Sequence, residues 1–222
     1  MKKFTLLDGA ALVVWLLPVV YIWILFPSLP QTVPVHYGIN GTVDRYGSKN
    51  EFLIGPIILT GVSALVYLLL KFLPAIDPKK QIRYGEGTFQ KLGLGLVVFM
   101  AALNIGIAYA TAHHGFPIEK LLFPVIGLLF AFIGNMMNSI KPNYFAGIRT
   151  PWTLESEDNW RATHRLAGKI WFVGGLLITM VMLILPATIA TILFTSFVVI
   201  MALIPVIYSF VYFKKHQVNQ NS

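Results

Sequence analysis

Apolar and polar positions segregate along this chain into long blocks. No Asp, Glu, Lys or Arg occurs in residues 9–43, 52–70, 92–118, 121–140 or 170–213, and every charge falls in the short segments between them. A hydrocarbon core of about 30 Å takes roughly 20 helical residues at ~1.5 Å each, so each window holds one membrane span and the last holds two. The pattern predicts spans near residues 9–29, 52–73, 92–112, 121–140, 169–186 and 190–213. One straight helix through the last window would be about twice the core thickness, and Leu185-Pro186-Ala187-Thr188 supplies the break that folds it into a hairpin. The expected fold class is all-α: a polytopic membrane bundle of six transmembrane helices with a small ordered extracellular loop.

Composition agrees and excludes the alternatives. Of 222 residues, 56% are hydrophobic and 12% charged, which rules out disorder and an ordinary globular fold. With no cysteine there is no disulfide framework, thiolate metal site or cysteine nucleophile. Met1-Lys2-Lys3 followed by apolar sequence from Leu6 to Phe26 has the form of a signal peptide, but its full span length and lack of a small-x-small cleavage site read as a retained helix. The net charge of +8 points to orientation and anionic lipid rather than to direct contact with nucleic acid. With the amino terminus inside, all of the 17 Lys and Arg except Arg45, Lys49 and Lys120 fall in inner segments. The positive-inside rule then puts both termini in the cytoplasm, with an outer loop at 30–51 and inner loops at 75–91 and 141–168.

The spans themselves offer little chemistry. None carries an ionisable Asp, Glu, Lys or Arg in its middle, which disfavours a proton-driven pump, and no Walker loop, H-E-x-x-H pair or G-x-S-x-G elbow is present, so an enzyme is not expected. Trp15, Trp23, Tyr67 and Tyr109 read as lipid-interface or packing residues. Ala102, Gly106 and Ala110 form a small-residue face on the third span, and Asn104 is an intramembrane amide suited to an interhelical hydrogen bond.

Two polar regions remain. In the outer one, Pro30 and Pro34 favour an extended path, Val33 to Tyr37 can pair as a strand, and Asn40-Gly41 is a tight-turn signal, giving a hairpin-like cap. His36 and Tyr37 are placed to hold the turn, with Asp44, Arg45 and Lys49 as an exposed charge cluster. A metal site from His36, Asp44, His113, His114 and Glu119 matches no standard ligand spacing, and no metal or cofactor is expected.

In the inner region, Asn135 and Asn138 share a helix face near the membrane exit and can accept hydrogen bonds from a returning loop, Lys141 to Leu154. Arg149 has a planar donor fork suited to backbone carbonyls, carboxylates or lipid phosphate. Thr150-Pro151 fixes the chain direction so that Trp152 buries its ring below the headgroups. Ser156 caps a helix whose first turn carries Glu157 and Asp158 and which runs on into the fifth span. On it Trp160, His164 and Gly168 share a stripe, and Glu157 can pair with Arg161.

The string Gly134-Asn135, then Lys141-Pro142-Asn143-Tyr144-Phe145-Ala146-Gly147-Ile148-Arg149-Thr150-Pro151-Trp152-Thr153-Leu154, then Trp160 and His164, closely resembles the signature of the SdpI family, named for immunity to the sporulation-delaying toxin of Bacillus. Leu29-Pro30, Val33-Pro34, His36-Tyr37, Gly41, Asp44 and Ser48-Lys49 resemble the amino-terminal domain of unknown function that precedes this signature in many Gram-positive membrane proteins. The resemblance implies two units, residues 1–75 and 76–222, in a plasma-membrane immunity protein that guards against a secreted, membrane-active peptide toxin. For some relatives it also implies signalling, in which the toxin-engaged protein holds a cytoplasmic helix-turn-helix repressor at the membrane. Candidate contacts are then His36, Tyr37, Asp44 and Lys49 outside, and Asn135, Asn143, Arg149, Thr150, Pro151, Trp152, Trp160 and His164 inside, with lipid around the spans. The competing readings are a lipid-headgroup enzyme or transport accessory built on Arg149, His164 and Glu157, which lacks a nucleophile, and a structural membrane subunit.

Overall fold

The structure, a computed structural model, describes residues 4–38, 41–76, 86–113 and 116–220. The centre of the predicted 75–91 loop, Asn40 of the expected turn, and His114 lie outside the described residues.

The apolar windows become helices α1 (Leu6–Leu25), α3 (Ile54–Ile76), α4 (Glu86–Ala112), α5 (Glu119–Met137), α7 (Glu157–Ile184) and α8 (Ala187–Gln220), with short helices α2 (Lys49–Phe52) and α6 (Pro151–Glu155) at their ends. Six helical segments are long and apolar enough to cross a membrane, and their outward faces stay greasy: Trp23 is 77% exposed and Ile184 is 82% exposed. In water such a surface would aggregate; in a bilayer it is the lipid contact. The chain is a multi-pass membrane protein. The break predicted at Pro186 is present, since α7 ends at Ile184 and α8 starts at Ala187.

The helices form two groups that meet along α4 and α5. On one side α4 packs against α1 and α3; on the other α5 packs against α7, and α8 against α7. Without a hydrophobic drive between helices in lipid, close approach depends on small residues. The α5–α7 contact shows this, because a Cβ built on Gly175 would lie 2.5 Å from both Ala131 N and Gly127 O. Gly134 on α5 meets Gly168 and the Phe172 backbone on α7 in the same way, about two helical turns further along the antiparallel pair. The small face of α4 behaves as expected: Gly106 receives Leu121 of α5. Asn104 donates to Pro56 O at 3.3 Å and Thr60 Oγ1 at 3.1 Å on α3, the interhelical bond its type predicts.

At one end of the bundle, strands β1 (Thr32–Tyr37) and β2 (Val43–Ser48) pair antiparallel, with Thr32 opposite Ser48 and Tyr37 opposite Val43. The register slips between Pro34 and His36, where proline has no N–H to offer the ladder. Val33 is fully buried and packs with Ile22, Leu29, Phe52 and Ala108, which pins the hairpin onto α1, α2 and α4. The segment 138–156 closes the opposite end.

That opposite end also holds a knot the sequence did not disclose. Asp8 caps the start of α1 in a capping box with Thr5, and its Oδ1 lies 2.8 Å from Lys71 Nζ on α3 and 2.8 Å from the Tyr67 hydroxyl. Gln90 of α4 donates to Thr5 Oγ1 at 2.6 Å, so three helices are tied at one point. Tyr67 therefore belongs to packing, as does Trp15, whose Nε1 donates to Ser63 Oγ at 2.9 Å. Trp23 and Tyr109 keep the exposed position of interface residues.

Candidate functional site

Two polar sites emerge at opposite ends of the bundle, and their hydrogen bonding differs in kind. In the 138–156 segment, Asn143 is buried and every polar valence of its amide is used. Its Nδ2 donates to Lys141 O at 2.8 Å and Ala146 O at 3.0 Å, while its Oδ1 accepts the N–H groups of Phe145 at 2.7 Å and Ala146 at 2.8 Å. The side chain thus replaces the secondary structure that this stretch lacks. Arg149 donates to the Tyr144 carbonyl, which selects the backbone carbonyl from its expected partners.

Gly147 then turns the chain with φ +113, a left-handed value that other residues rarely adopt. A Cβ there would sit 2.5 Å from His164 Nε2 and 3.1 Å from the Trp160 ring, so the absence of a side chain is required twice over. His164 is buried on α7 with its ring stacked on Trp160 at 4.1 Å. Its Nε2 accepts the Ile148 N–H at 3.1 Å, which fixes the tautomer; Nδ1 carries the proton and donates to Trp160 O at 2.9 Å. Trp160 Nε1 in turn donates to Ile140 O at 2.8 Å, closing the loop onto the end of α5.

Thr150 is the N-cap of α6 in a reciprocal capping box with Thr153, Pro151 occupies the first helical turn, and Trp152 meets Phe210 of α8 edge-on at 5.1 Å. Thr150 Oγ1 also lies 3.2 Å from Ser209 Oγ, and Asn159 Nδ2 donates to Ser209 O at 2.9 Å, which joins α6, α7 and α8. The structure thereby brings Asn143, Arg149, Thr150, Pro151, Trp152, Trp160 and His164 into one fold of the chain.

Asn135 and Asn138 are exposed, and among the described residues the expected hydrogen bonds from the returning loop to their amides do not form, because the loop turns on its own Asn143 and on the indole of Trp160. Asn159, Thr163 and Ser209 were missed as partners. Their signal was a run of polar residues on the buried face of an amphipathic helix, visible only once α8 was known to cover that face. The i,i+4 pair of Glu157 and Arg161 forms as expected. Arg161, Arg165 and Lys169 lie on one side of α7, and with Lys141 they border a recess of about 530 Å³ that also holds Glu157.

The hairpin end is organised differently. His36 Nδ1 lies 2.6 Å from Asp44 Oδ1 across the hairpin, with the two side chains 64% and 49% exposed. Arg45 pairs with Glu51, and Lys49 rests its ammonium 5.0 Å from the centroid of Phe26. Thus His36 and Asp44 pair with each other across the small sheet, while Lys49, at the start of α2 just beyond it, meets Phe26 instead. Tyr37 turns inward, and burial pushes its phenol above the ordinary value. Among the described residues no three His, Asp or Glu side chains are grouped to hold a metal ion.

Beneath the hairpin lies a cavity of about 600 Å³. Its roof is Pro34 to Gly38, its floor Leu103 and Ile107 of α4, and its sides Ile54 to Pro56 of α3 and, at the start of α5, Ile118, Glu119 and Leu121 to Phe123. One acid faces it from the α5 terminus: Glu119, 7% exposed. The adjacent Lys120 is turned away, donating to Leu183 O at 3.1 Å and to Leu185 O, where it caps the end of α7.

Comparison with known proteins places both ends. Residues 139–209 match the model of the SdpI/YfhL protein family, and residues 13–60 match a domain of unknown function, DUF1648. The chain is similar to the protein named Immunity protein SdpI of Bacillus subtilis (strain 168), 23% identical over 155 residues, or 70% of this chain and 71% of that protein. It is also similar to an uncharacterized protein of Archaeoglobus fulgidus, 36% identical over 62 residues, which cover 28% of this chain and 32% of that relative. No solved structure matches it.

Proposed function

From the premise that this chain belongs to the SdpI/YfhL family, we propose that it is a membrane immunity protein, protecting the cell that makes it from a secreted, membrane-active peptide toxin. The name of the Bacillus subtilis relative supports the class of function, and the observation that carries the reading to this molecule is the cavity under the hairpin. A cleft of that size with apolar walls and a polar roof accepts several side chains of an amphipathic peptide. In the orientation given by the positive-inside rule, both termini and the 138–156 segment are cytoplasmic and the hairpin faces the side from which a toxin arrives.

The amino-terminal unit, residues 1–75, supplies the hairpin, and the remainder supplies the family signature. Helix α5 spans between the two sites, with Glu119 at the cavity and Met137 packed on Trp160 at the other end. Its glycine-tight contact with α7 makes the pair a stiff connector, suited to carrying a toxin-dependent shift to an inner surface. Any such shift requires the toxin to bind one packing more tightly than the other. The basic border of Lys141, Arg165 and Lys169 is the surface on which a cytoplasmic repressor partner would meet it. An enzymatic reading built on His164 is not favoured, because that side chain spends both ring nitrogens on backbone groups.

The test expresses the protein in a toxin-sensitive Gram-positive host and challenges it with the peptide, with membrane insertion checked by immunoblot. Survival above the vector control is expected. Equal killing with and without correctly inserted protein rejects immunity.

A further inference from the structure

The cavity under the hairpin carries an electrostatic feature that its apolar lining hides. Among the described residues, four charged or titratable groups other than tyrosine border it: His36, Arg45, Glu51 and Glu119. His36 is matched by Asp44 and Arg45 by Glu51. Glu119 has no hydrogen bond or ion pair among the described residues, although it is more than nine-tenths buried. Lys120 does not serve it, being committed to the carbonyls at the end of α7.

The carboxylate is held there by design of the backbone around it. Glu119 is the first residue of α5, where the positive end of the helix dipole favours an anion. Gly41 of the hairpin turn lies directly over it with φ +78, and a Cβ at that glycine would collide with the carboxylate. The hairpin thus shields Glu119 from bulk water on one side and leaves it facing the cavity on the other. An uncompensated charge in so buried a place is costly unless a partner of opposite sign arrives.

We infer that this cavity is a binding site for a peptide, which it holds by seating one primary amine or guanidinium on the Glu119 carboxylate while neighbouring apolar side chains fill the space between α3 and α5. The walls that receive those side chains are Ile54 and Pro56 on one side and Leu122 and Phe123 on the other. A zwitterionic lipid also carries an amine, but it brings a phosphate that needs a cation of its own. Among the described residues the cation lining the cavity, Arg45, is already paired with Glu51, so a peptide is the better match. This assignment rests on the immunity reading only for the identity of the natural ligand; the amine selectivity stands on the geometry.

The experiment uses the full chain purified in nonionic detergent and two synthetic probes, an amino-terminally acetylated, dye-labelled apolar peptide with a single lysine and its twin with norleucine in that place. Fluorescence anisotropy should show the lysine peptide binding at least ten-fold more tightly. Glu119→Gln should reduce that ratio to about one, and Glu119→Asp should retain part of it. Unchanged binding of the norleucine twin to Glu119→Gln reports that the cavity is still folded. The inference is overturned by a ratio near one in the wild type, by no binding of either peptide, by a ratio that survives Glu119→Gln, or by displacement of the lysine peptide with phosphatidylethanolamine but not phosphatidylcholine micelles. Its fate separates from that of the immunity reading. Selective binding without protection of cells would reject immunity alone, and full protection by Glu119→Gln would reject the cavity's role alone.

Discussion

The two ends of the bundle spend their polar groups in opposite ways. In the 138–156 segment and the start of α7 that it packs on, Asn143, Thr150, Trp160 and His164 are all buried and all satisfied by the protein itself. At the hairpin the charged pairs are exposed, while the buried acid, Glu119, faces a cavity. A motif dense in Asn, Arg, Thr and His looks from sequence like binding machinery, and its contacts show that it also serves as a clasp joining α5, α7 and α8. The difference teaches that chemical richness in a string does not locate a ligand site; an unspent polar group beside empty space does.

Substitutions at the two ends should therefore differ in kind. The largest effect is expected from Trp160→Ala. It empties the volume of a fully buried indole, for which about 3–5 kcal/mol is typical, and leaves the Ile140 carbonyl without its donor. Thermal unfolding followed by tryptophan fluorescence in detergent should show a sharp drop, and protease should cut between residues 141 and 149. An unchanged midpoint would remove the clasp from the account. Gly147→Ala should follow, because the new Cβ meets His164 Nε2 and the backbone is strained at φ +113; an intact loop by the same proteolysis would contradict the geometry. Thr150→Ala removes an N-cap and should cost about 1 kcal/mol, read as a modest fall in the midpoint. Smallest of all, His36→Ala breaks an exposed pair worth roughly 0–1 kcal/mol, so stability should hold within error. A large loss of stability there would mean that the hairpin, too, is held by its polar groups.

Much of the fold was legible because membrane helices write themselves in composition. Charge-free windows fix where α3 to α5 and α7 to α8 run, Pro186 fixes the hairpin between the last two, and Ser156 announces a start for α7 well before its apolar part. The strand from Val33 to Tyr37 was readable from prolines and β-branched residues, and its structural range begins one residue earlier, at Thr32. The Asp8, Lys71 and Gln90 knot was not readable, since those residues are far apart in sequence and Asp8 and Lys71 sit at the edges of apolar windows, where polarity is expected anyway. Asn135 misled for a related reason: a shared helix face says which amides are neighbours, not which face the returning loop covers. Glu119 entered the sequence reading only as a member of a metal set with no standard spacing, because sequence shows a Glu beside a Lys, and only the structure shows the lysine turned to α7 and the acid left facing the cavity.

Every functional statement about the two ends depends on which faces the cell exterior, and the absence of cysteine makes that directly measurable. Single cysteines at Tyr46, 58% exposed on the hairpin, and at Tyr144, 45% exposed in the clasp, should be challenged in intact cells with a membrane-impermeant maleimide. The account predicts labelling of Tyr46→Cys at once and of Tyr144→Cys only after the membrane is permeabilised. Labelling of Tyr144→Cys in intact cells, with Tyr46→Cys protected, would invert the molecule and remove the toxin-facing cavity.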